Sequence, residues 1–291
     1  MGNKWLHGNA IMLTNIYSLP EPIVRAVAND DYDPGHGDYS VTQLLDPPRK
    51  VALGKQYDGE LSEDVSDRIF SLFGQAVHTI LERAEVPGLQ EERLYGDWDG
   101  VTVSGQFDYI DEGGILWDWK TASTYELSHG VKESRSQQLN CYSALARLNG
   151  LNVNELRIGF ILRDWSAAAA KRETNYPPHQ VVVYPIKLWS PEEADTFISE
   201  RIRLHQAAMI ELPECTDEER WAQPTRHAVV KDGGKRASRV HDDLAEARKD
   251  LAGRGKGYSL EERRGKNTRC ESYCSVSSIC EQWSNLREGS Q

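Results

Sequence analysis

One stretch, residues 101–121, limits the folds available to this chain of 291 residues. Val101 and Val103 alternate with polar residues, a Gly-Gly pair follows, and a run rich in isoleucine, leucine and tryptophan comes after that pair. This pattern predicts a β-hairpin in which residues 105–110 lie beside residues 115–120. We therefore expect this hairpin to form part of a central sheet.

Three charged residues in the hairpin suggest chemistry. Paired as predicted, the strands bring the carboxylates of Asp108 and Asp118 together near one end, and Lys120 lies on the same strand face as Asp118. Asp118 and Lys120 stand in an otherwise apolar run, where a charge is costly to bury without a partner. Each acid alone is more typical of an ordinary turn or edge strand. Together the three residues predict a metal site with a lysine beside it.

The composition is that of a globular protein, because 39% of the residues are hydrophobic and can supply a sizeable core. No apolar segment approaches the ~20 residues that a membrane-spanning helix needs, and residues 1–6 show no secretory pattern. The sequence therefore predicts a cytoplasmic protein without a membrane partner.

The net charge of −11 argues against a nucleic-acid partner, because phosphate contacts require lysine and arginine. Residues 226–269 depart from this average, with thirteen Lys or Arg against seven Asp or Glu. This basic segment is compatible with DNA binding, and it is about equally compatible with a solvated basic face.

Hydrophobic periodicity and capping signals predict the order of elements. The predicted helices cover residues 40–45, 62–84, 134–149 and 190–212, and the predicted strands cover residues 89–97, 105–110, 115–120, 156–162 and 180–188. Pro47 and Pro48 are expected to end the first helix, and Ser62 is expected to cap the second. This order indicates an α/β or α+β domain with a mixed central sheet flanked by helices.

The same pattern divides the chain into three segments. Residues 1–61 are rich in Pro, Gly and Asp and are expected to wrap irregularly around the core. Residues 62–212 form the core itself. Residues 213–291 are a polar appendage with few apolar positions, which needs docking on the body or a metal to become ordered.

Two predicted helices carry pairs of residues one turn apart. Gly74 and His78 share one side of the second helix, and the missing side chain at Gly74 would let another element approach the imidazole. Gln138 and Tyr142 share one side of the third helix. Alone, each pair is more typical of a structural role, as a core or surface histidine or as a solvated amide with a boundary tyrosine.

Five cysteines are present, and three of them, Cys270, Cys274 and Cys280, lie within eleven residues. The other two are Cys141 and Cys215. Disulfides are uncommon in a cytosolic protein, so the crowding of the three favours metal ligation.

Four short motifs resemble those of the RecB-like branch of the PD-(D/E)XK nucleases. In chain order they are Gly74-x-x-x-His78, Gly105-x-x-Asp108, Asp118-x-Lys120 and Gln138-x-x-x-Tyr142. Each motif is weak alone, and the four in this order are fairly specific. The resemblance implies a PD-(D/E)XK nuclease core and a site for Mg²⁺ or Mn²⁺.

The resemblance also implies roles for individual residues. By it, His78, Asp108 and Asp118 are similar to the family's divalent-metal ligands, helped by the backbone carbonyl of Trp119. Lys120 would stand beside the attacking water. Carboxylate oxygens suit Mg²⁺ or Mn²⁺, and a single imidazole shifts the preference towards Mn²⁺.

Two further roles concern the third predicted helix, where Gln138 and Tyr142 would orient the site and the DNA backbone. Like the metal ligands, these roles follow from the resemblance alone.

The cysteines Cys270, Cys274 and Cys280 resemble the carboxyl-terminal cluster of the iron-sulfur members of this branch, which include CRISPR-associated RecB-like nucleases. Such a cluster takes a fourth cysteine from upstream. Cys215 is the better candidate because it follows the long last helix, whereas Cys141 lies inside a predicted helix as a core thiol. Four thiolates suit a [4Fe-4S] cluster, with a structural zinc as the alternative and a metal-free segment as the third option.

These patterns predict a metal-dependent DNA nuclease, and they favour an exonuclease acting in recombination, repair, or phage or CRISPR DNA processing. Two alternatives stay open: a non-catalytic DNA-end-binding or adaptor subunit, and a structure-selective or restriction-type endonuclease. The two acids and the lysine argue against a pure binder, which has no need of them. DNA is the expected partner, with recombination or adaptation proteins as further candidates.

Overall fold

The computed structural model describes residues 5–6, 12–29, 35–128 and 130–289. The chain divides into two compact units, Met1–Leu212 and Pro213–Gln291. Helices and mixed sheets are both present, so the predicted α/β class is confirmed. Within those described ranges, no helix is both long and apolar enough to cross a membrane.

The first unit alternates helices and strands. Its helices are α1 (Glu21–Ala28), α2 (Val41–Leu45), α3 (Pro48–Gln56), α4 (Ile69–Glu82), α5 (Thr124–Ser128), α6 (Glu133–Leu148), α7 (Ala167–Arg172) and α8 (Pro191–Ile210). Its strands are β1 (Trp5–Leu6), β2 (Met12–Thr14), β3 (Tyr39–Ser40), β4 (Ser62–Asp64), β5 (Gly88–Gln90), β6 (Arg93–Trp98), β7 (Val101–Gln106), β8 (Tyr109–Asp111), β9 (Ile115–Ala122), β10 (Glu155–Leu162) and β11 (Val181–Ile186).

A five-stranded sheet with the order β11-β10-β9-β8-β5 forms the centre of this unit. β8 and β9 pair as a hairpin, with Tyr109 opposite Trp117 and Ile110 opposite Leu116, while β9 and β10 run parallel, with Lys120 beside Phe160. The single strand expected over residues 105–110 is divided, because residues 105 and 106 belong to β7, which lies in another sheet. Parallel neighbours need a crossover connection, and here it runs through α5 and α6. Two smaller sheets, β3-β7-β6 and β1-β2-β4, complete the unit.

The main core joins the central sheet to two long helices. Leu116 of β9 and Ile158 of β10 are fully buried, as are Leu139 of α6 and Ile198 of α8. Helix α8 begins as its sequence predicts, because the Ser190 hydroxyl accepts a hydrogen bond from the Glu193 amide at 3.2 Å.

The expectation that residues 1–61 wrap irregularly is wrong for the described part of that segment. The helix expected over residues 40–45 is confirmed as α2, but α1 and α3 form there as well, and Val41, Leu44 and Val51 belong to the main core. The first helix ends at Leu45, before the two prolines, as expected, and Pro48 also starts α3, because a proline at the first helical position leaves no intrahelical hydrogen bond unmade.

An arginine of α8 ties this segment to the core. The Arg201 guanidinium donates to the carbonyl of Leu44 at 2.6 Å and to that of Asp46 at 2.7 Å. These two hydrogen bonds satisfy carbonyl groups at the C-terminal end of α2, which have no partner within the helix.

The helix expected over residues 62–84 begins later than predicted. Ser62 does not cap it, because Ser62 lies in β4 opposite Met12 of β2. Asp64 provides the cap by accepting from the Ser66 amide at 3.0 Å, and a 3-10 turn over Val65–Arg68 then leads into α4. Sheet pairing therefore overrides the capping signal at Ser62.

The second unit has its own secondary structure. Its strands are β12 (Ala222–Gln223), β13 (Arg226–Lys231), β14 (Ala237–His241), β15 (Tyr258–Arg263) and β16 (Lys266–Asn267), and its helices are α9 (Leu244–Arg254), α10 (Thr268–Ser272) and α11 (Glu281–Glu288). Helix α9 packs on a sheet of order β14-β13-β15. The core is small, with Ala228, Val229 and Ala247 fully buried, in keeping with the polar composition of residues 213–291.

His205 of α8 makes the stability of the first unit sensitive to acid. It is 1% exposed, and its Nε2 lies 3.1 Å from the Leu44 carbonyl oxygen. Burial, with the charge of Arg201, lowers the pKa of His205 to about 4. Between about pH 4 and pH 6.5, the folded state thus keeps the imidazole neutral, whereas the unfolded chain binds a proton there.

We expect the full contribution of His205 to the free energy of unfolding to be present above about pH 7. This contribution should fall by about 2 kcal/mol when the pH is lowered to about 5. Chemical denaturation of wild type and His205→Gln at several pH values checks this. The difference in free energy of unfolding between the two proteins should shrink as the pH falls. A difference that stays constant from pH 8 to pH 5 would contradict a neutral buried histidine.

Candidate active site

Two acids meet at the hairpin of the central sheet. Asp108 lies between β7 and β8, and its Oδ2 accepts a hydrogen bond from the backbone amide of Trp119 at 2.6 Å. This bond fixes Asp108 on the strand that carries Asp118. The two side chains are buried, and burial, followed by the nearby charge of Asp118, raises the pKa of Asp108 to about 7.

Lys120 completes the charged face of β9. Its Nζ donates to Asp118 Oδ1 at 2.8 Å. Burial acts to lower the pKa of Lys120, but the carboxylates of Asp118 and Asp108 outweigh it and hold that pKa above its ordinary value. The other oxygen, Asp118 Oδ2, is buried and has no hydrogen-bond partner among the described residues. A buried carboxylate oxygen is costly unless paired, so Oδ2 is suited to a cation.

His78 reaches this pair from α4. Its Nδ1 lies 3.0 Å from Glu91 Oε1 and 3.5 Å from Asp108 Oδ1. The hydrogen bond with Glu91 is the strongest influence on the pKa of His78, and together with the charge of Asp108 it raises that pKa against the effect of burial. One ligand atom from each of the three residues lies within 4.8 Å of the others, an arrangement that could hold a metal ion.

Glu91 is the residue of this group that the sequence analysis missed. The strand expected over residues 89–97 is interrupted between β5 and β6, and Glu91 takes a left-handed backbone conformation there, with φ of 50°. Its amide donates to the Asp108 carbonyl at 2.9 Å, and its Oε2 accepts from Gln106 Nε2 at 3.2 Å. The available signal was the pair of consecutive acids, Glu91 and Glu92, inside the strand predicted over residues 89–97.

The other face of β9 carries two stacked indoles. The rings of Trp117 and Trp119 lie 5.3 Å apart between centroids, with 17° between their planes. Gly159 on β10 makes room for them, because a Cβ at that position would collide with the Trp119 ring. The Trp119 amide is thereby held where it can donate to Asp108. A role for the Trp119 carbonyl as a metal ligand stays a prediction.

Gln138 and Tyr142 contact each other across one turn of α6, where Gln138 Nε2 donates to the Tyr142 hydroxyl at 2.9 Å. Tyr142 is also part of the main core. Gly105 of β7 allows this packing, since a Cβ there would lie 2.7 Å from Leu145 Cδ1 and 2.9 Å from Tyr142 Cε1. The glycine of the Gly105-x-x-Asp108 motif therefore brings α6 close to the strand that leads to Asp108.

The role expected for Gly74 is wrong. A Cβ at Gly74 would meet no atom of the described residues within 4 Å, so no element of the described chain approaches His78 through that gap.

Four of the five cysteines gather in the second unit. Burial, then the charge of Glu219, then those of Cys280, Cys270 and Cys274 raise the pKa of the Cys215 thiol to about 12. Cys141, by contrast, is fully buried in the main core, as expected for a core thiol, and burial raises its pKa to about 12.

Side chains of the second unit hold Cys215 near the later cysteines. Gln282, two residues after Cys280, donates from Nε2 to the Cys215 carbonyl and accepts from its amide, each at 2.9 Å. The amide of Arg269 donates to the Arg220 carbonyl at 3.1 Å, which places the segment before Cys270 beside the one after Cys215. In the described chain, however, no three cysteine Sγ atoms lie within 4.8 Å of one another.

The family assignment follows from a match to the PD-(D/E)XK nuclease superfamily that covers residues 43–281. This chain belongs to the PD-(D/E)XK nuclease superfamily, which confirms the resemblance found in the four motifs. The nucleases of this superfamily use divalent metals, and the cluster of His78, Glu91 and Asp108 offers a place for one. Assignment to the RecB-like branch stays a prediction.

Several solved structures share some likeness with the chain. The protein SSO0001 is 15% identical over 64% of this chain and 85% of its own, with a TM-score of 0.42. A candidate exonuclease from Eubacterium rectale is 16% identical over 48% of this chain and 54% of its own, with a TM-score of 0.32. A phage-related exonuclease from Haemophilus somnus is 15% identical over 67% of this chain and 84% of its own, with a TM-score of 0.31.

With TM-scores below 0.5, these likenesses carry no argument about the site. None of the curated proteins matches the chain.

Proposed function

We propose that this protein is a divalent-metal-dependent deoxyribonuclease, and within that class an exonuclease. The observation that carries the proposal is the convergence of two buried acids on one paired lysine, with Lys120 Nζ 2.8 Å from Asp118 Oδ1 and Asp108 anchored on the same strand. Two acids and a lysine held together on one rigid edge can serve phosphodiester hydrolysis, whereas a protein that only binds DNA does not need them.

The metal ligands that we propose are His78, Glu91, Asp108 and Asp118, with the Trp119 carbonyl as a further donor. The donor set fits a hard cation such as Mg²⁺ or Mn²⁺, because it is mostly carboxylate, and the unpartnered Asp118 Oδ2 has a free lone pair. A bound divalent ion supplies Lewis acidity towards the phosphate and the attacking water.

Lys120 would steady the attacking water and the negative charge that develops at the phosphate. Its ammonium is held by Asp118, so it is oriented before substrate arrives. Its raised pKa keeps it protonated at neutral pH, which suits a group that stabilises charge and not one that removes a proton.

Gln138 and Tyr142 would orient the site and the DNA backbone from α6. Their mutual hydrogen bond supports a positioning role, because it fixes the Gln138 amide against a buried tyrosine. The basic segment over residues 226–269 would add phosphate contacts, in keeping with DNA as substrate.

A comparison of substrates separates the candidate activities. Purified protein is incubated with linear DNA and with covalently closed circular DNA of the same sequence, in Mg²⁺ or Mn²⁺. An exonuclease degrades the linear DNA and leaves the circle intact, whereas an endonuclease cuts the circle. Binding to DNA ends without cleavage in either metal would favour the adaptor alternative, and partners would then be recombination or adaptation proteins.

A cytoplasmic location stays a prediction from the sequence.

We expect His78→Ala to weaken metal use more than DNA binding, because the imidazole would contact the ion and not the phosphate backbone. The Mn²⁺ concentration for half-maximal cleavage should rise by about tenfold or more, and Glu91→Gln should act in the same direction. Glu92→Gln is the matched control, since Glu92 is an exposed neighbour. An unchanged metal requirement in both His78→Ala and Glu91→Gln would remove these two residues from the site.

For the second unit we propose a [4Fe-4S] cluster held by Cys215, Cys270, Cys274 and Cys280. Gln282 joins Cys215 to the segment after Cys280, and the Arg269 amide joins the segment before Cys270 to Arg220, which supports ligation by the four thiolates. Structural zinc stays the alternative, because zinc and a [4Fe-4S] cluster both accept four thiolates.

A further inference from the structure

Helix α4 carries an exposed apolar surface that the proposed chemistry does not use. Phe70, Phe73 and Ile80 are 68%, 60% and 64% exposed. A helix this apolar ordinarily buries one face against the core. Exposed apolar surfaces of this kind mark binding sites.

Only the Phe70 side of α4 leads to the candidate metal centre, because Phe73 and Ile80 lie roughly 140–160° around the helix from His78. Phe70, Gly74 and His78 are spaced by four residues each, so they lie along one side of α4. At a rise of ~1.5 Å per residue, Phe70 stands ~12 Å from His78 along the helix. A stacked strand advances ~3.4 Å per nucleotide, so that distance is a few nucleotides.

A cation accompanies the aromatic end of the surface. The Arg163 guanidinium lies 5.4 Å from the centroid of the Phe70 ring. Arg163 directly follows β10, and its amide donates to the carbonyl of Ala122 at 3.0 Å. Ala122 lies on the neighbouring strand β9, two residues after Lys120, so this hydrogen bond fixes the Arg163 backbone near the candidate site. An aromatic ring beside an arginine is the usual combination for single-stranded nucleic acid, since the ring stacks on a base and the arginine meets the backbone.

Gly74 gives the surface a gap between its aromatic end and His78. Glycine in a helix interior is less stable than alanine, and a Cβ here would touch nothing within 4 Å among the described residues. Packing within the described chain therefore gives no reason for a glycine at this position. A reason would be that the glycine leaves space for a group of a bound molecule.

We propose that the α4 surface, defined as Phe70 and Gly74, binds the bases of single-stranded DNA next to the metal centre. Phe70 is the stacking residue, and the gap at Gly74 admits a base or its sugar. A single strand is the occupant because its bases expose their faces, whereas a duplex hides them in the stack. The inference rests on the proposed nuclease function, since DNA is its substrate.

The first test measures binding in the Lys120→Ala background, so that the DNA stays intact. The probe is a fluorescein-labelled oligothymidylate, followed by fluorescence anisotropy. Phe70→Ala should raise the dissociation constant by about 5- to 100-fold, and Phe70→Trp should restore or tighten binding. Tyr184→Ala, which removes an exposed aromatic ring from β11, serves as the control and should bind like the parent.

The second test separates binding from folding. Gly74→Gln and Gly54→Gln each replace a helical glycine whose Cβ would meet no described atom within 4 Å. Both should raise the thermal midpoint by about 2–4 °C. Gly74→Gln alone should weaken oligonucleotide binding and, in the active protein, raise KM for single-stranded DNA more than it lowers kcat.

Wild-type affinity in both Phe70→Ala and Gly74→Gln would overturn the inference. A change of oligomeric state in Phe70→Ala, with affinity for the oligonucleotide unchanged, would do the same and would assign the surface to contact between copies of the chain. Neither result depends on cleavage. If active-site variants cleave like wild type while Phe70→Ala loses binding, the proposed catalytic site fails and the binding surface stands.

Discussion

Replacement of Lys120 by alanine is expected to lower the rate of DNA cleavage by ~10²-fold or more, with little change in DNA affinity. The variant loses the ammonium that lies 2.8 Å from Asp118 and would stabilise charge at the phosphate. Asp118→Ala should have an effect at least as large, because it removes a proposed metal ligand and also frees Lys120. Single-turnover cleavage of end-labelled DNA in Mn²⁺ measures the loss.

The control for this prediction is Lys187→Ala, which removes a lysine that is 79% exposed. It should cleave like wild type. Circular dichroism and thermal melting of each variant show whether the fold is retained, and Asp118→Asn preserves the shape of the side chain if Asp118→Ala unfolds. Cleavage at the wild-type rate by folded Asp118→Ala or Asp118→Asn would eliminate the proposed site.

Loss of a cysteine from the second unit is expected to release its metal and loosen residues 213–291. The buried apolar side chains of this unit are few and small, so ligation by four thiolates would contribute directly to its folding energy. Anaerobically purified wild type should be brown, with iron and acid-labile sulfide near four per chain if the cluster is a [4Fe-4S] cubane. Cys274→Ala and Cys280→Ala should lose the colour and become sensitive to protease after about residue 213.

Cys141→Ala tests the choice of the fourth ligand, because Cys141 lies in the main core of the first unit. It should keep the colour, whereas Cys215→Ala should lose it. Colourless protein with one tightly held zinc would replace the cluster by a structural zinc site. Protein with neither metal, still resistant to protease to its end, would contradict metal ligation altogether.

The hairpin and the long helices were predictable because their signals are local. Alternation around Val103 and the cap at Ser190 each depend on neighbouring residues only, and the structure has a strand and a helix start there. Ser62 shows the limit of such signals. It carries the chemistry of a cap, yet pairing with β2, about fifty residues earlier in the chain, decides its conformation.

In the candidate site too, some residues were predictable from local sequence and others depend on long-range contacts. Asp108, Asp118 and Lys120 stand out because charge within an apolar hairpin is visible in the sequence. Glu91 does not, because its approach to His78 depends on a break between two strands and on a left-handed backbone conformation that the sequence does not announce. Long-range contacts also explain why the irregular wrapping expected for residues 1–61 was wrong, since α3, which the sequence did not predict, packs on α8.

The stacked indoles of Trp117 and Trp119 on β9 allow the site to be monitored by circular dichroism spectroscopy. Two stacked indoles whose centroids are 5.3 Å apart couple their electronic transitions, which gives a paired positive and negative band in circular dichroism when the two transition dipoles are rotated relative to each other. Trp119 also donates its amide to Asp108, so a small rotation of either ring, caused by ion binding on the opposite face of the strand, changes the coupling. Titration of Mn²⁺ or Mg²⁺ into the unlabelled protein can therefore be followed without DNA, through indole rings that are not themselves proposed to bind the ion.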